Sequence, residues 1–452
     1  MRRRLFAAVL AALLMLMMTA AICAAEEKIG DDGLYVETPV LQRVRQETAS
    51  ETAEGGVTLR RTYPSTANAQ VDAQMRALVD DMAARGVALG EDAPQMTQLD
   101  VGAVITRTGT KWMSFLTLAE ATAGTTYLGV EAQTRVYDME SGTRLALTDV
   151  FAPESEAWER MAQAVREQLT EAFPGEEPDA RALDALCTRE ALEAADFTLG
   201  ATRLLLTYRA GAVYHGKTTL LHVSLGYDEY RPLMKAQAQA QTDNSRWRMA
   251  ALTFDDGGAV KYTSGVLDAL RQYGAQATFF IVGNRMAKNA CVLYRQQNCA
   301  YSLQSHSYTH EYQLTGEEML AQKEQFAAEM GAMVGVVPAL MRAPGGMEAG
   351  YVKHEIGYPL IHWSLASRDS GSEDYKRIAN YVCYNIDPGD IVLMHDLNPY
   401  SPRYAGLILE RLCDQGYLFV TVEELFAQAG IELEPNVVYY SPNRELVRPE
   451  AE

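Results

Sequence analysis

Along the first half of the chain the apolar positions change rhythm several times. Residues 101–105, 112–118, 126–130 and 135–137 are rich in β-branched and aromatic side chains and are separated by Gly, Thr and Ser. That pattern predicts a meander of strands. Ranges 67–87 and 154–173 carry helical spacing instead, as in Trp158, Met161, Val165 and Leu169. Residues 197–208 and 218–225 read as a strand pair around Gly211 and Gly216. The stretch 26–234 is therefore expected to be an α+β domain. Its two histidines, His215 and His222, have no acidic or Cys partner nearby in the chain and are expected to be structural.

A polar Ala/Gln-rich segment, 235–246, reads as a linker. Beyond it, from 247 to 430, short apolar strands alternate with helices. Strands are expected at 250–254, 278–282, 340–341, 360–363, 391–395 and 418–422. Helices are expected at 262–273, 373–385 and 404–415, with another opened by a Thr315/Glu318 capping box. Such alternation predicts a parallel sheet with helical crossovers, whose chemistry gathers at the carboxyl ends of the strands. Residues 431–452 are left as a tail.

Composition narrows the function classes. A net charge of −19 excludes a protein that tracks phosphates, so no nucleic acid is expected as a partner. At the amino terminus Arg2, Arg3 and Arg4 precede an uncharged run from Leu5 to Ala25 that closes on Cys23-Ala24-Ala25. Residues 1–25 have the make-up of a signal peptide or membrane anchor, and either places the bulk of the chain outside the cytoplasm. Five cysteines follow, with no Cys-x-x-Cys spacing, so a thiolate metal site has no support. In an oxidising compartment Cys291 and Cys299 are the couple nearest in sequence.

Four strand ends carry candidate chemistry. The first closes in Thr253-Phe254-Asp255-Asp256-Gly257. Adjacent side chains on a strand alternate in direction, so one carboxylate can hold a metal while the other faces water or substrate. His306 and His310 stand four apart, a spacing that in a helical turn shares one face and can grip one ion. Asp256, His306 and His310 then form a three-ligand set with open positions, as in a hydrolytic metal site. Arg342-Ala343-Pro344-Gly345-Gly346 offers a guanidinium and a bend with free N–H groups, and His395 ends a nearly all-apolar strand.

In this order the motifs resemble the polysaccharide deacetylase family (NodB homology, carbohydrate esterase family 4). The resemblance implies a distorted (β/α) barrel, a divalent metal (most often zinc, with cobalt or manganese as alternatives), and hydrolysis of N-acetyl groups on amino sugars. Carried onto this sequence, it makes Asp256, His306 and His310 metal ligands and Asp255 the general base. Arg342 orients that base, His395 is the general acid, and the Gly345 N–H helps hold the oxyanion. The front half resembles, more weakly, domains that precede the catalytic module in peptidoglycan N-acetylmuramic acid deacetylases. A related domain occurs in a lysozyme-sensing anti-sigma factor, which implies a protein or glycan ligand for residues 26–234.

Three positions depart from the family pattern. Ala366 stands where an Asp is expected to pair with the acid histidine, Ser370 replaces a Trp, and Gly345 replaces a commoner Tyr. Asp369 and Asp396 are candidate substitutes as the partner of His395. These departures motivate an alternative, a catalytically impaired protein of the same fold that senses glycan or lysozyme.

Overall fold

The computed structural model describes residues 28–92, 95–257 and 260–443. The expected signal peptide or anchor lies outside them, as does the end of the expected tail. Among the described residues no helix is long and apolar enough to cross a membrane.

The front half holds a six-stranded sheet in sequential order: β1 (Val44–Thr52), β2 (Thr58–Thr66), β3 (Gln98–Thr108), β4 (Trp112–Ala123), β5 (Thr126–Asp138) and β6 (Thr143–Leu145). Only β2 and β3 run parallel, because the helix Ala69–Asp92 crosses over between them. The two stretches expected at 126–130 and 135–137 are one continuous strand, β5. The first hairpin went unread in the sequence for a physical reason. Beyond Gln46, β1 is exposed at every position, so it has no apolar alternation to read. A second, three-stranded antiparallel sheet follows: β7 (Phe197–Leu199), β8 (Arg203–Arg209) and β9 (Leu220–Gly226).

The back half is a parallel, distorted barrel. Strands β10 (Arg248–Asp256), β11 (Thr278–Ile281), β12 (Ser302–Ser305), β13 (Leu360–Ile361), β14 (Leu365–Ala366), β15 (Ile391–His395), β16 (Tyr417–Phe419) and β17 (Val438–Tyr439) make up its wall. The order β12-β11-β10-β15-β14 puts β10 at the centre. Single parallel bridges from Ser305 to Met341 and from Met341 to Leu360 extend the wall to β13, which pairs with β17. The expected strand at 340–341 is thus reduced to one bridging residue. Met249 to Asp255 are buried without a break, as a strand covered on both faces must be.

The two halves share a core. On β4, Met113 and Phe115 face the helix Ala69–Asp92, whereas Leu116 and Leu118 point the other way and join a cluster with Leu252, Phe254, Leu270 and Phe279 of the barrel. Into this seam the chain places charge. Glu120 accepts from Arg271 Nη2 at 2.6 Å, and Arg295 lies 3.7 Å away. The expected linker is also built in. Ala236–Gln241 is a short helix with Ala238 fully buried, and the Asn244 side chain is hydrogen-bonded to Gly109, Thr108 and Ala201.

The expected Cys291–Cys299 couple is not formed, and all five described cysteines are free. The two thiols sit at opposite ends of the helix Ala290–Asn298. At about 1.5 Å rise per residue this separation is roughly twice what a disulfide spans. Cys299 instead accepts from the Arg271 guanidinium at 2.9 Å.

Candidate active site

Because every barrel strand runs the same way, their carboxyl ends open on one mouth, and the four motifs meet there. Strand β10 stops abruptly because Asp256 (φ 84°) and Gly257 (φ 69°) turn into the left-handed region. Gly257 is required twice over, since a Cβ there would also meet Ile281 Cγ2 at 2.6 Å. The turn leaves Asp255 buried and Asp256 at the mouth.

Arg342 is fully buried and holds Asp255 in place. Its Nη1 donates to Asp255 Oδ1 at 2.7 Å and to Thr253 Oγ1 at 2.7 Å. Nε donates to the Ile361 carbonyl and Nη2 to the His362 carbonyl. The guanidinium lies 4.2 Å from the ring of Phe280. A planar donor fork used on four partners is itself held in one orientation, and through Nη1 it sets where Asp255 Oδ1 sits.

His306 and His310 do not sit on a helical turn, which corrects the geometry expected from their spacing. They flank a loop after β12 in which Ser307 and His310 both take positive φ. Gln322, on the helix Gly316–Val334, clamps that loop by accepting from the N–H groups of Tyr308 and Thr309. The loop still brings the rings together, 4.9 Å between centroids. His306 Nδ1 must donate to the Arg342 carbonyl at 2.8 Å, so its Nε2 keeps a lone pair. That nitrogen is 4.0 Å from Asp256 Oδ1, and His310 Nε2 is 3.4 Å from the same oxygen. Burial lowers the His306 pKa despite the nearby carboxylates, which favours the neutral, ligating form.

Asp256, His306 and His310 are the only group among the described residues whose donor atoms, one from each, lie close enough to share an ion, within 4.8 Å of one another. A carboxylate with two imidazoles, one oriented by a backbone carbonyl, is a donor set that zinc or cobalt accepts. The residues present therefore fit a divalent metal. Arg285 adds a cation at the rim, donating to the Asp256 carbonyl and standing 3.7 Å from its Oδ1.

Across the mouth His395 ends β15, paired with Asp255 on β10. Its Nδ1 is 2.9 Å from Asp369 Oδ1, and its backbone N–H donates to Asp369 Oδ2. Tyr404 donates to the same Oδ2 at 2.7 Å. Burial depresses the His395 pKa, but the bond to Asp369 and the carboxylates of Asp255 and Asp256 outweigh it and raise the value to about 9. Asp369, not the residue at 366, is thus the acid partner of this histidine, and the Ala366 departure leaves no gap. Asp396, the other candidate, instead accepts from Thr263.

The bend after Arg342 is a short turn, Pro344–Gly346, with Gly345 at φ 62° and Gly346 at φ 72°. Beneath it His362 stacks on Trp363 and bonds through Nδ1 to the buried carboxylate of Glu348 at 2.7 Å. This pair, like Gln322, left no signal in the sequence, since its partners are brought together only by the fold.

A family model described as polysaccharide deacetylase matches residues 242–358. A peptidoglycan-N-acetylglucosamine deacetylase of Bacillus cereus is 36% identical over 187 residues, covering 39% of this chain and 88% of the relative. The chain belongs to the polysaccharide deacetylase family. In Listeria monocytogenes the peptidoglycan-N-acetylglucosamine deacetylase PgdA is 28% identical over 300 residues, 65% of this chain. The chain spans 64% of that relative's length. Among solved structures of the family, peptidoglycan deacetylase PdaC of Bacillus subtilis matches at 28% identity with a TM-score of 0.40, over 41% of this chain and 94% of that one.

Proposed function

We propose that this protein hydrolyses the N-acetyl group of amino sugars in cell-wall glycan, outside the cytoplasm, with a divalent metal held by Asp256, His306 and His310. The observation that carries the reading is the meeting of two separate acid–base devices at one mouth: Asp255 fixed by Arg342, and His395 fixed by Asp369. The B. cereus and L. monocytogenes relatives, described as acting on peptidoglycan N-acetylglucosamine, support the substrate class. The basic start and apolar run of residues 1–25 support the location.

The chain's own groups divide the work. Asp255 takes a proton from the attacking water through Oδ2, because Oδ1 is committed to Arg342. The Gly345 N–H donates to the oxygen that becomes negative as the tetrahedral intermediate forms. His395, protonated at neutral pH, gives its Nε2 proton to the departing amine, and Asp369 steadies the ring through the other nitrogen. When bound, the metal supplies a Lewis acid for the acetamide carbonyl and lowers the pKa of a water. Acetate and a free amino sugar result.

Incubation with peptidoglycan and with chitooligosaccharides, with zinc or cobalt added, tests this directly. Acetate release and a mass loss of one acetyl group per sugar are expected. Release no greater than that of an Asp255→Asn protein refutes it.

A further inference from the structure

Next to the metal-ligating set stands an aromatic side chain that the chemistry above does not use. Tyr312 is 56% exposed, whereas most large apolar and aromatic side chains are buried. Its ring meets that of His310 edge-on, 5.4 Å between centroids. It also spreads over Gly345: a Cβ built there would lie 2.7 Å from Tyr312 Cε1. The glycine at 345 therefore answers two demands, a left-handed backbone and an empty space that the tyrosine ring fills. Leu314, two residues on, packs against the cluster of Met319, Met341 and Ala343, while Tyr312 stays exposed.

We propose that Tyr312 is the stacking platform for the pyranose ring of the sugar being deacetylated, and that Gly345 is bare so that the platform can lie flat across the mouth. The inference rests on the deacetylase reading for its choice of ligand. An acetamide is attached directly to its sugar ring. Once its carbonyl lies between the metal-ligating set and the Gly345 N–H, the ring must rest within its own width of that point. With its substituents equatorial, a gluco-configured pyranose presents axial C–H bonds on its faces, and an exposed aromatic ring is the surface that such an apolar face covers. The platform is thus a specificity element: it selects substrates whose acetyl group sits on a six-membered sugar.

Calorimetric binding of tetra-N-acetylchitotetraose to the full-length Asp255→Asn protein, loaded with zinc, separates this from the catalytic reading. Tyr312→Phe is expected to bind within about twofold of the parent and Tyr312→Ala about tenfold more weakly, as for loss of one exposed aromatic contact. Zinc content is expected to be equal in all three. With Asp255 restored, Tyr312→Ala should raise KM with kcat held within about threefold. Equal binding by Tyr312→Ala overturns the platform. So does a parallel loss of zinc and kcat, which would make Tyr312 a support for His310. If the Asp255→Asn protein binds through Tyr312 yet the protein with Asp255 restored releases no acetate, the platform stands and the deacetylase reading falls. Absence of binding by every variant overturns the platform.

Discussion

Glu120 at the seam between the halves and Asp255 at the mouth are both carboxylates almost wholly buried, and each faces an arginine at hydrogen-bond distance. Their surroundings differ in one respect. Glu120 is claimed on both oxygens, by Arg271 on one and Asn298 on the other, with Arg295 behind and the shared apolar core closing over it. Burial alone would raise its pKa, but the two guanidinium groups outweigh burial and lower it. Among the described residues Asp255 is hydrogen-bonded on one oxygen only. Its Oδ2 looks across 3.7 Å to the lone-pair nitrogen of His306, at the open end of the barrel. A buried ion pair with every valence filled welds two halves together, and one with a valence left open is ready for chemistry.

Removing the open valence should produce the largest effect. In Asp255→Asn the amide oxygen can still accept from Arg342, so folding is expected to survive while the proton acceptor is lost. Acetate release should fall by about a thousandfold, with the thermal midpoint changed little. Glu120→Ala should behave in the reverse sense. It leaves Arg271 buried without its anion and Arg295 with Asp268 alone, at a cost of about 3–5 kcal/mol in unfolding free energy. Turnover per folded molecule should be unchanged. Denaturant titration and active-site-normalised rates measure the two sides. If Glu120→Ala lowered turnover without lowering stability, the distinction between weld and site would fail.

Asp369→Asn comes next. The proposed reaction calls for His395 in its protonated form, and its pKa of about 9 keeps that form present through neutral pH. Loss of the carboxylate removes the main influence that raises the value. The alkaline limb of kcat/KM should move down in pH, toward the ordinary histidine value of 6.5. At pH 8 the rate should drop about 10- to 100-fold, the usual scale for losing an orienting carboxylate. The acidic side of the profile should shift less, because Asn costs nothing where histidine is protonated in either protein. A uniform drop at all pH values would show that Asp369 only holds the loop in shape.

Much of this site was legible in the sequence, for a reason visible in the fold. Strands buried on both faces are largely apolar, so Asp255 and His395, the first ionisable residues to close them, are marked as strand ends, whereas β12 is mostly polar and His306 is marked by its spacing to His310 instead. What spacing could not supply was the shape of the loops that follow. The His306–His310 interval fits a helical turn, but positive φ at Ser307 and His310 builds another path to the same meeting point. Which of the two candidate acids, Asp369 or Asp396, partners His395 depends on the same loop shapes. The family resemblance puts the usual acid at position 366, where this chain has Ala; β14 ends there and Arg368, at φ 61°, turns the chain so that Asp369 comes back to the histidine. Gln322 and the Glu348–His362 pair act across elements, beyond the reach of any local pattern.

Ala366→Asp should have the smallest effect, and it tests that last point from the opposite side. Ala366 pairs with Leu393, two residues before His395, so a carboxylate introduced there would lie near the mouth. Were His395 short of an orienting acid, the substitution would supply one and turnover would climb. With Asp369 already bonded to both the Nδ1 and the backbone N–H of His395, the new charge finds no open proton to accept. It adds instead to the negative field of Asp255, Asp256 and Asp369. The expected outcome is a turnover within about threefold of the parent, as for a substitution that touches no step of the reaction, with the alkaline limb moved slightly upward by the added anion. A tenfold gain would show that the Asp369 bond does not orient the acid, and would return position 366 to the centre of the mechanism.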